Sequence, residues 1–158
     1  NKTPQSIGII GTENTINSRA YDKIILSFSN KIKIYSKSCP LFVPIIEEGL
    51  ESHKITEIIA REYLQTMINK KINLLILGCT HYPIIKNIIQ DILTINVTIV
   101  DSANLVANYV ESFLKNNDIV SDNNSKIKIY VSDQPLQFQE QAAKFFGKNI
   151  PQVIEVKL

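Results

Sequence analysis

Between an apolar run and a proline, the sequence sets Gly78-Cys79-Thr80-His81-Tyr82-Pro83, a thiol, a hydroxyl and an imidazole on three successive residues. A cysteine beside an imidazolium or near a helix N-terminus has its pKa lowered from about 8.5, and the resulting thiolate serves as nucleophile or base. The ordinary structural account is a small Cys closing a strand and a His satisfied by the backbone. A second segment, Gly11-Thr12-Glu13-Asn14-Thr15, carries two hydroxyls three residues apart. Thr15 is a candidate helix N-cap, and the loop's hydroxyls and amides also suit a carboxylate or phosphate at a helix N-terminus. A third, Cys39-Pro40-Leu41-Phe42-Val43-Pro44-Ile45-Ile46, ends in the pair Glu47-Glu48. Glutamate is seldom set beside a core without a partner. Either one of the two does acid–base work, or both are the solvated end of a short helix. Cys39, with nothing nearby to activate it, reads as a packing residue.

The elements that must position these residues are legible from periodicity. Six short runs rich in β-branched residues stand at 7–10, 32–35, 74–77, 97–100, 127–131 and 153–156. Amphipathic stretches near 17–29, 54–69, 83–93, 102–116 and 135–146 lie between them. This alternation predicts an α/β fold with a doubly wound, mostly parallel sheet. The 74–77 run is expected to be buried on both faces, and the lysines alternating in the second and fifth runs to mark half-exposed or edge strands. Pro83 and Pro135 suit first helical turns and Gly147 a helix C-terminus. Asn116 to Ser125, rich in Asn, Asp and Ser, is the one linker-like stretch. In such sheets ligands bind beyond the carboxyl ends of the strands, where all three candidate segments fall.

Composition narrows the function classes. The chain has 158 residues, 44% hydrophobic and 20% charged, enough for a sizeable core. A net charge of +2 is too small for a nucleic-acid track or an anionic membrane surface. No stretch reaches the roughly 18 apolar residues of a membrane span, and the polar start Asn1 to Gln5 is no signal peptide, so a cytoplasmic protein is expected. The two cysteines, Cys39 and Cys79, match neither a secreted scaffold nor a zinc site, and free thiols with no metal are the expectation. Because the chain begins with Asn1, a processed or partial product is also expected.

The string Leu77-Gly78-Cys79-Thr80-His81-Tyr82-Pro83 resembles the second-cysteine motif of the glutamate racemases, the cofactor-independent enzymes that make D-glutamate for peptidoglycan and so serve cell-wall biogenesis and cell shape. Gly11 to Thr15 is similar to that family's T-x-x-T loop, and Cys39 to Pro44 with Glu47 to its C-P-x-F-V-P-x-x-E segment. Tyr130-Val131-Ser132-Asp133 followed by Phe138 and Ala142 to Gly147 is similar to its closing strand and helix. Four motifs in the family's order make the signal strong.

The reaction explains the residue types. Inverting an α-carbon without a cofactor requires a base on one face and an acid on the other, and two thiols of tunable pKa suit both roles. The resemblance implies that Cys79 is one catalytic thiol and His81 its acid–base partner. It further implies that Glu47 assists, that Thr12, Thr15 and Thr80 contact the substrate, and that no cofactor or metal is needed. Glutamate is the implied small-molecule partner, with no nucleic acid or membrane, and a homodimer is compatible. The partner thiol of the family lies in an upstream Asn-Thr segment accompanied by an Asp-Ser pair and a Pro-Tyr-Gly turn, none of which precedes Thr12 here. Residues 4–100 therefore resemble the second lobe of a racemase, and 101–158 the C-terminal segment that in the family packs on the first. With one of two bases, this chain alone is expected not to racemise. The competing readings are a non-catalytic glutamate-binding or regulatory α/β module, and a hydrolase-type Cys79–His81 pair, which has no visible orienting third group.

Overall fold

The computed structural model describes residues 5–120, 127–146 and 150–157. Pro4, much of the linker-like stretch and Gly147 fall outside them. All six expected strands form: β1 (Ser6–Gly11), β2 (Lys33–Ser38), β3 (Leu74–Gly78), β4 (Thr98–Asp101), β5 (Lys128–Val131) and β6 (Gln152–Glu155). The chain divides into two compact units, Asn1–Tyr109 and Val110–Leu158.

In the first unit four strands lie in the order β2-β1-β3-β4, every neighbour parallel. The chain moves one way from β1 to β2 and the other way from β1 to β3. That reversal opens a crevice beyond the carboxyl ends of β1 and β3, the place where open α/β sheets bind ligands.

Side chains alternate across the sheet, and the register Ile10↔Leu77 and Gly8↔Leu75 turns Ile10, Leu75 and Leu77 to one face. There they join Phe42 and Ile46 of α3 (Phe42–Glu47) and Ala60, Leu64 and Met67 of α4 (Lys54–Asn69). The same core takes in Ile85 of a short 3-10 helix (Tyr82–Ile85) and Ile89 and Ile92 of α5 (Lys86–Leu93). Burying each of these large aliphatic side chains contributes about 1.5–3 kcal/mol before the entropy of ordering is counted.

The opposite face is thinner. Ile7 and Ile9 are buried, yet Leu74 and Ile76 are only half-buried, so β3 is sealed on one face and not on both as expected. Of the described strands, β1 is the one buried throughout its length; β1 and β3 each have a neighbour on both sides, but β1 is covered on both faces. The lysine-bearing β2 is the edge strand, as its alternation indicates.

The single helix expected near 17–29 is two, α1 (Glu13–Ser18) and α2 (Ala20–Phe28), because Arg19 adopts a left-handed backbone with φ 54°. Ser18 Oγ accepts from the Ala20 amide across the break at 3.2 Å. The stretch expected near 83–93 likewise begins as the 3-10 helix, with Pro83 in its first turn where a missing N–H costs nothing.

From β4 the chain passes into α6 (Ser102–Asn116), where the Asp101 carboxylate accepts from the Asn104 amide at 3.2 Å. In the second unit, β5 pairs parallel with β6, and α7 (Pro135–Phe146) makes the crossover between them. Two strands are marginal as a free-standing sheet. No described helix is long and apolar enough to cross a membrane.

Candidate active site

Gly11 and Gly78 are register partners at the carboxyl ends of the two strands that flank the crevice. The next residues, Thr12 and Cys79, therefore leave adjacent strands side by side. Space explains the glycines. A Cβ on Gly78 would lie 3.0 Å from the Ile10 carbonyl oxygen, 3.2 Å from the Tyr21 ring and 3.3 Å from Thr15 Cγ2; one on Gly11 would lie 3.1 Å from Thr15. The first turn of α1 can thus settle directly onto the strand ends. These two glycines were visible in the sequence only as strand stops; their pairing depends on register.

Helix α1 begins one turn earlier than the Thr15 cap expected from sequence. Thr12 is the N-cap, its Oγ1 accepting from the Thr15 amide at 3.3 Å. The two hydroxyls also hydrogen-bond each other at 3.0 Å. Thr12 and Thr15 are both half-buried at the crevice.

Cys79 is a half-buried free thiol packed against the edge of the core, and Thr80 is exposed. Thr80 Oγ1 lies 3.5 Å from His81 Nδ1, a long contact, while His81 Nε2 lies 3.3 Å from Glu47 Oε1. One ring nitrogen therefore lies toward a hydroxyl and the other meets a carboxylate, and the carboxylate contact orients the ring. Glu47 is the last residue of α3, and its neighbour Glu48 is that helix's C-cap. The acidic pair thus splits, with one carboxylate turned to the imidazole.

What brings α3 to this loop is Tyr82, a member of the 78–83 string whose role is not visible from the sequence. Its buried hydroxyl donates to the Cys39 carbonyl at 3.0 Å, and its amide donates to the Cys79 carbonyl at 3.4 Å. Its ring meets Phe42 edge-to-face at 5.2 Å, and Phe42 meets Tyr63 in the same way. The Cys39 amide in turn donates to the Gly11 carbonyl at 2.9 Å. The three strand-end loops are therefore tied together through Tyr82 and the backbone atoms of Gly11, Cys39 and Cys79.

Cys39 has a different character from Cys79. It is fully buried, and desolvation pushes its thiol up to about 12 despite the nearby Lys37 ammonium. It follows β2 while Cys79 follows β3, and β1 lies between those strands, so the thiols sit two strand spacings apart, roughly 9–10 Å. That exceeds disulfide reach. Among the described residues no group of three or more His, Cys, Asp or Glu is placed to hold a metal.

No protein-family model matches the chain. Among curated proteins, the glutamate racemase of Syntrophus aciditrophicus is 37% identical over 155 residues, 97% of this chain and 57% of that protein. The glutamate racemase of Chlorobaculum tepidum is 40% identical over 149 residues, 93% of this chain and 55% of that protein. Among solved structures, the glutamate racemase of Francisella tularensis in complex with D-glutamate superposes with a TM-score of 0.88 at 37% identity, over 97% of this chain and 58% of that one. A Bacillus anthracis glutamate racemase superposes at 0.89 with 31% identity, over 98% and 58%. By sequence and by fold, this chain is a homologue of the glutamate racemases, and it spans somewhat more than half the length of the relatives it matches.

Proposed function

We propose that these residues are the Cys79-bearing part of a glutamate racemase, interconverting L- and D-glutamate by proton transfer between two thiols. The observation that carries this reading is the Cys79-Thr80-His81 loop at the topological switch point, with Glu47 3.3 Å from His81. As thiolate, Cys79 removes the α-proton on one face of the substrate. The C–H electron pair stays on Cα and spreads into the carboxylate, and an opposing thiol delivers a proton to the other face; the roles exchange for the reverse reaction. His81, oriented by Glu47, takes up and returns a proton at the sulfur or the substrate amine. The Thr12, Thr15 and Thr80 hydroxyls are donors for the carboxylates, whose charge rises in the transition state.

The opposing thiol is not Cys39, the one other cysteine of the sequence, because that sulfur is buried with a raised pKa. It must come from polypeptide outside these 158 residues. A face of α6 supports the same division. Leu105, Tyr109 and Phe113, spaced one helical turn apart, are 58%, 70% and 49% exposed, which suits residues 101–158 packing on a first lobe. In this reading the complete enzyme is cytoplasmic, needs no cofactor and supplies D-glutamate for peptidoglycan.

The test follows solvent deuterium into Cα of each glutamate enantiomer by NMR, with circular dichroism reporting inversion. The complete enzyme is expected to invert both enantiomers, and Cys79→Ser to abolish two-way turnover. Racemisation by the 158-residue chain alone would defeat the two-thiol assignment. Saturable glutamate binding by the complete protein with no exchange at Cα would favour a non-catalytic binding module instead.

A further inference from the structure

At the opposite end of the four-stranded sheet, where the strands begin, lies an open cleft of about 660 Å³. Lys31 lies in the turn before β2, Lys33 at the first position of β2, and Lys70 and Lys71 just after α4; all four line the cleft. Among the described residues no carboxylate lines it. For a chain whose net charge is only +2, four ammonium groups around one concavity with no acid among them is an uneven placement. Like charges so arranged raise the local concentration of anions. The end of α4 accounts for two of the lysines, since cations favour a helix C-terminus. It does not account for Lys31 and Lys33.

Neutral donors complete the cleft. Asn73 Oδ1 accepts from the Gln5 and Ser6 amides and from Ser6 Oγ at 3.2–3.3 Å, which leaves its Nδ2 amide hydrogens as the donors turned away from them. Ser29 also lines the cleft, its Oγ accepting from the Lys31 amide at 3.3 Å. Lys71 itself holds a left-handed backbone with φ 49°, the position after a helix where glycine is the usual occupant.

We propose that this cleft binds a small organic molecule bearing a di- or triphosphate group. Lysines are hydrated point charges that converge on a tetrahedral phosphate from any direction, whereas planar carboxylates are best matched by the arginine fork. The chain's two arginines, Arg19 and Arg61, are both absent from the lining. The cleft exceeds what a bare phosphate fills and falls within the size range of organic-ligand sites. The face of Tyr35 is taken by the Lys70 ammonium, 5.6 Å from the ring centroid, so phosphate charge and not ring stacking supplies the affinity. The cleft is separated from Cys79 by the length of β1, roughly 20 Å, and the proposal stands whether or not the racemase reading does.

The test is calorimetric titration of the 158-residue chain with ATP and with inorganic pyrophosphate at low salt, with citrate and a single-stranded oligonucleotide as comparison probes. Saturable one-site binding of both phosphate probes is expected, weakened roughly tenfold or more in Lys33→Gln/Lys71→Gln and by raising salt to screen the ammonium groups. The charge-matched control Arg61→Gln/Lys115→Gln is expected to bind as the parent does, and the urea midpoints of both variants confirm folding. Absence of saturable binding, equal affinity for citrate, tighter binding of the oligonucleotide, or undiminished binding by the lysine variant would each overturn the proposal.

Discussion

Glu47 and His81, far apart in sequence, meet at 3.3 Å between Oε1 and Nε2, where the end of α3 faces the loop that follows β3. In the racemase reading this contact orients the imidazole beside Cys79. Glu47→Gln keeps the shape and removes the charge. It is expected to lower kcat for both enantiomers by roughly 10–100-fold with a smaller change in KM, as loss of support to an acid–base group does. Steady-state kinetics of the complete enzyme check it; an unchanged kcat would show that the carboxylate is a bystander.

The two thiols are expected to separate cleanly by reactivity. Cys39 is sealed and pushed up to about 12, whereas Cys79 lies half-open at the crevice. Since the thiolate is the nucleophile, iodoacetamide at pH 8 is expected to modify Cys79 and spare Cys39 until urea unfolds the chain. Peptide mass spectrometry reads the ratio, and early labelling of Cys39 in the native chain would contradict its placement.

Gly78→Ala tests the close approach at the switch point. The added Cβ would stand 3.0 Å from a backbone carbonyl and 3.2 Å from the Tyr21 ring, and the carbonyl cannot move without disturbing β1. A loss of about 1–3 kcal/mol is expected in urea unfolding. Neutral stability would mean that the strand ends yield more than this packing allows.

Tyr82→Phe deletes one buried hydroxyl and retains the ring packing on Phe42. The Cys39 carbonyl then loses a donor, at a cost of about 1–3 kcal/mol. Chemical denaturation gives the stability. Faster alkylation of Cys79 in the same variant is the expected sign that its loop has loosened.

A fifth expectation concerns acid. Lys86 Nζ donates to Asp101 Oδ2 at 2.8 Å; this bond, followed by that of the Asn104 amide, holds the Asp101 carboxyl below its usual range. A carboxyl with a lowered native pKa stabilises the fold above its unfolded value of about 3.9, and the contribution fades as pH falls through the native value. Asp101→Asn is therefore expected to cost about 1–2 kcal/mol at pH 7, and the gap from the parent to narrow at pH 3. Urea midpoints at the two pH values decide; an equal deficit at both would assign the loss to packing.

Much of this architecture is legible in the chain because it is encoded locally. β-Branched runs stopped by Gly11 or Gly78, and helices opened by Pro83 or Pro135, depend on neighbours a few residues away. The break at Arg19 was not legible, since a left-handed arginine carries no glycine to announce it. Nor was the half-open face of β3, because an apolar run reads alike whether one face is covered or both. The thiol, imidazole, hydroxyls and carboxylate could be placed at strand ends from sequence alone.

Which of them meet was decided only in three dimensions. The order β2-β1-β3-β4 sets Thr12 beside Cys79 and leaves Cys39 two strands away. Packing of Tyr82 on Phe42 then carries Glu47 to His81. Local sequence signals extend over a turn or a strand, whereas this site is assembled from loops separated by whole helices, and only burial of the common core draws those loops together.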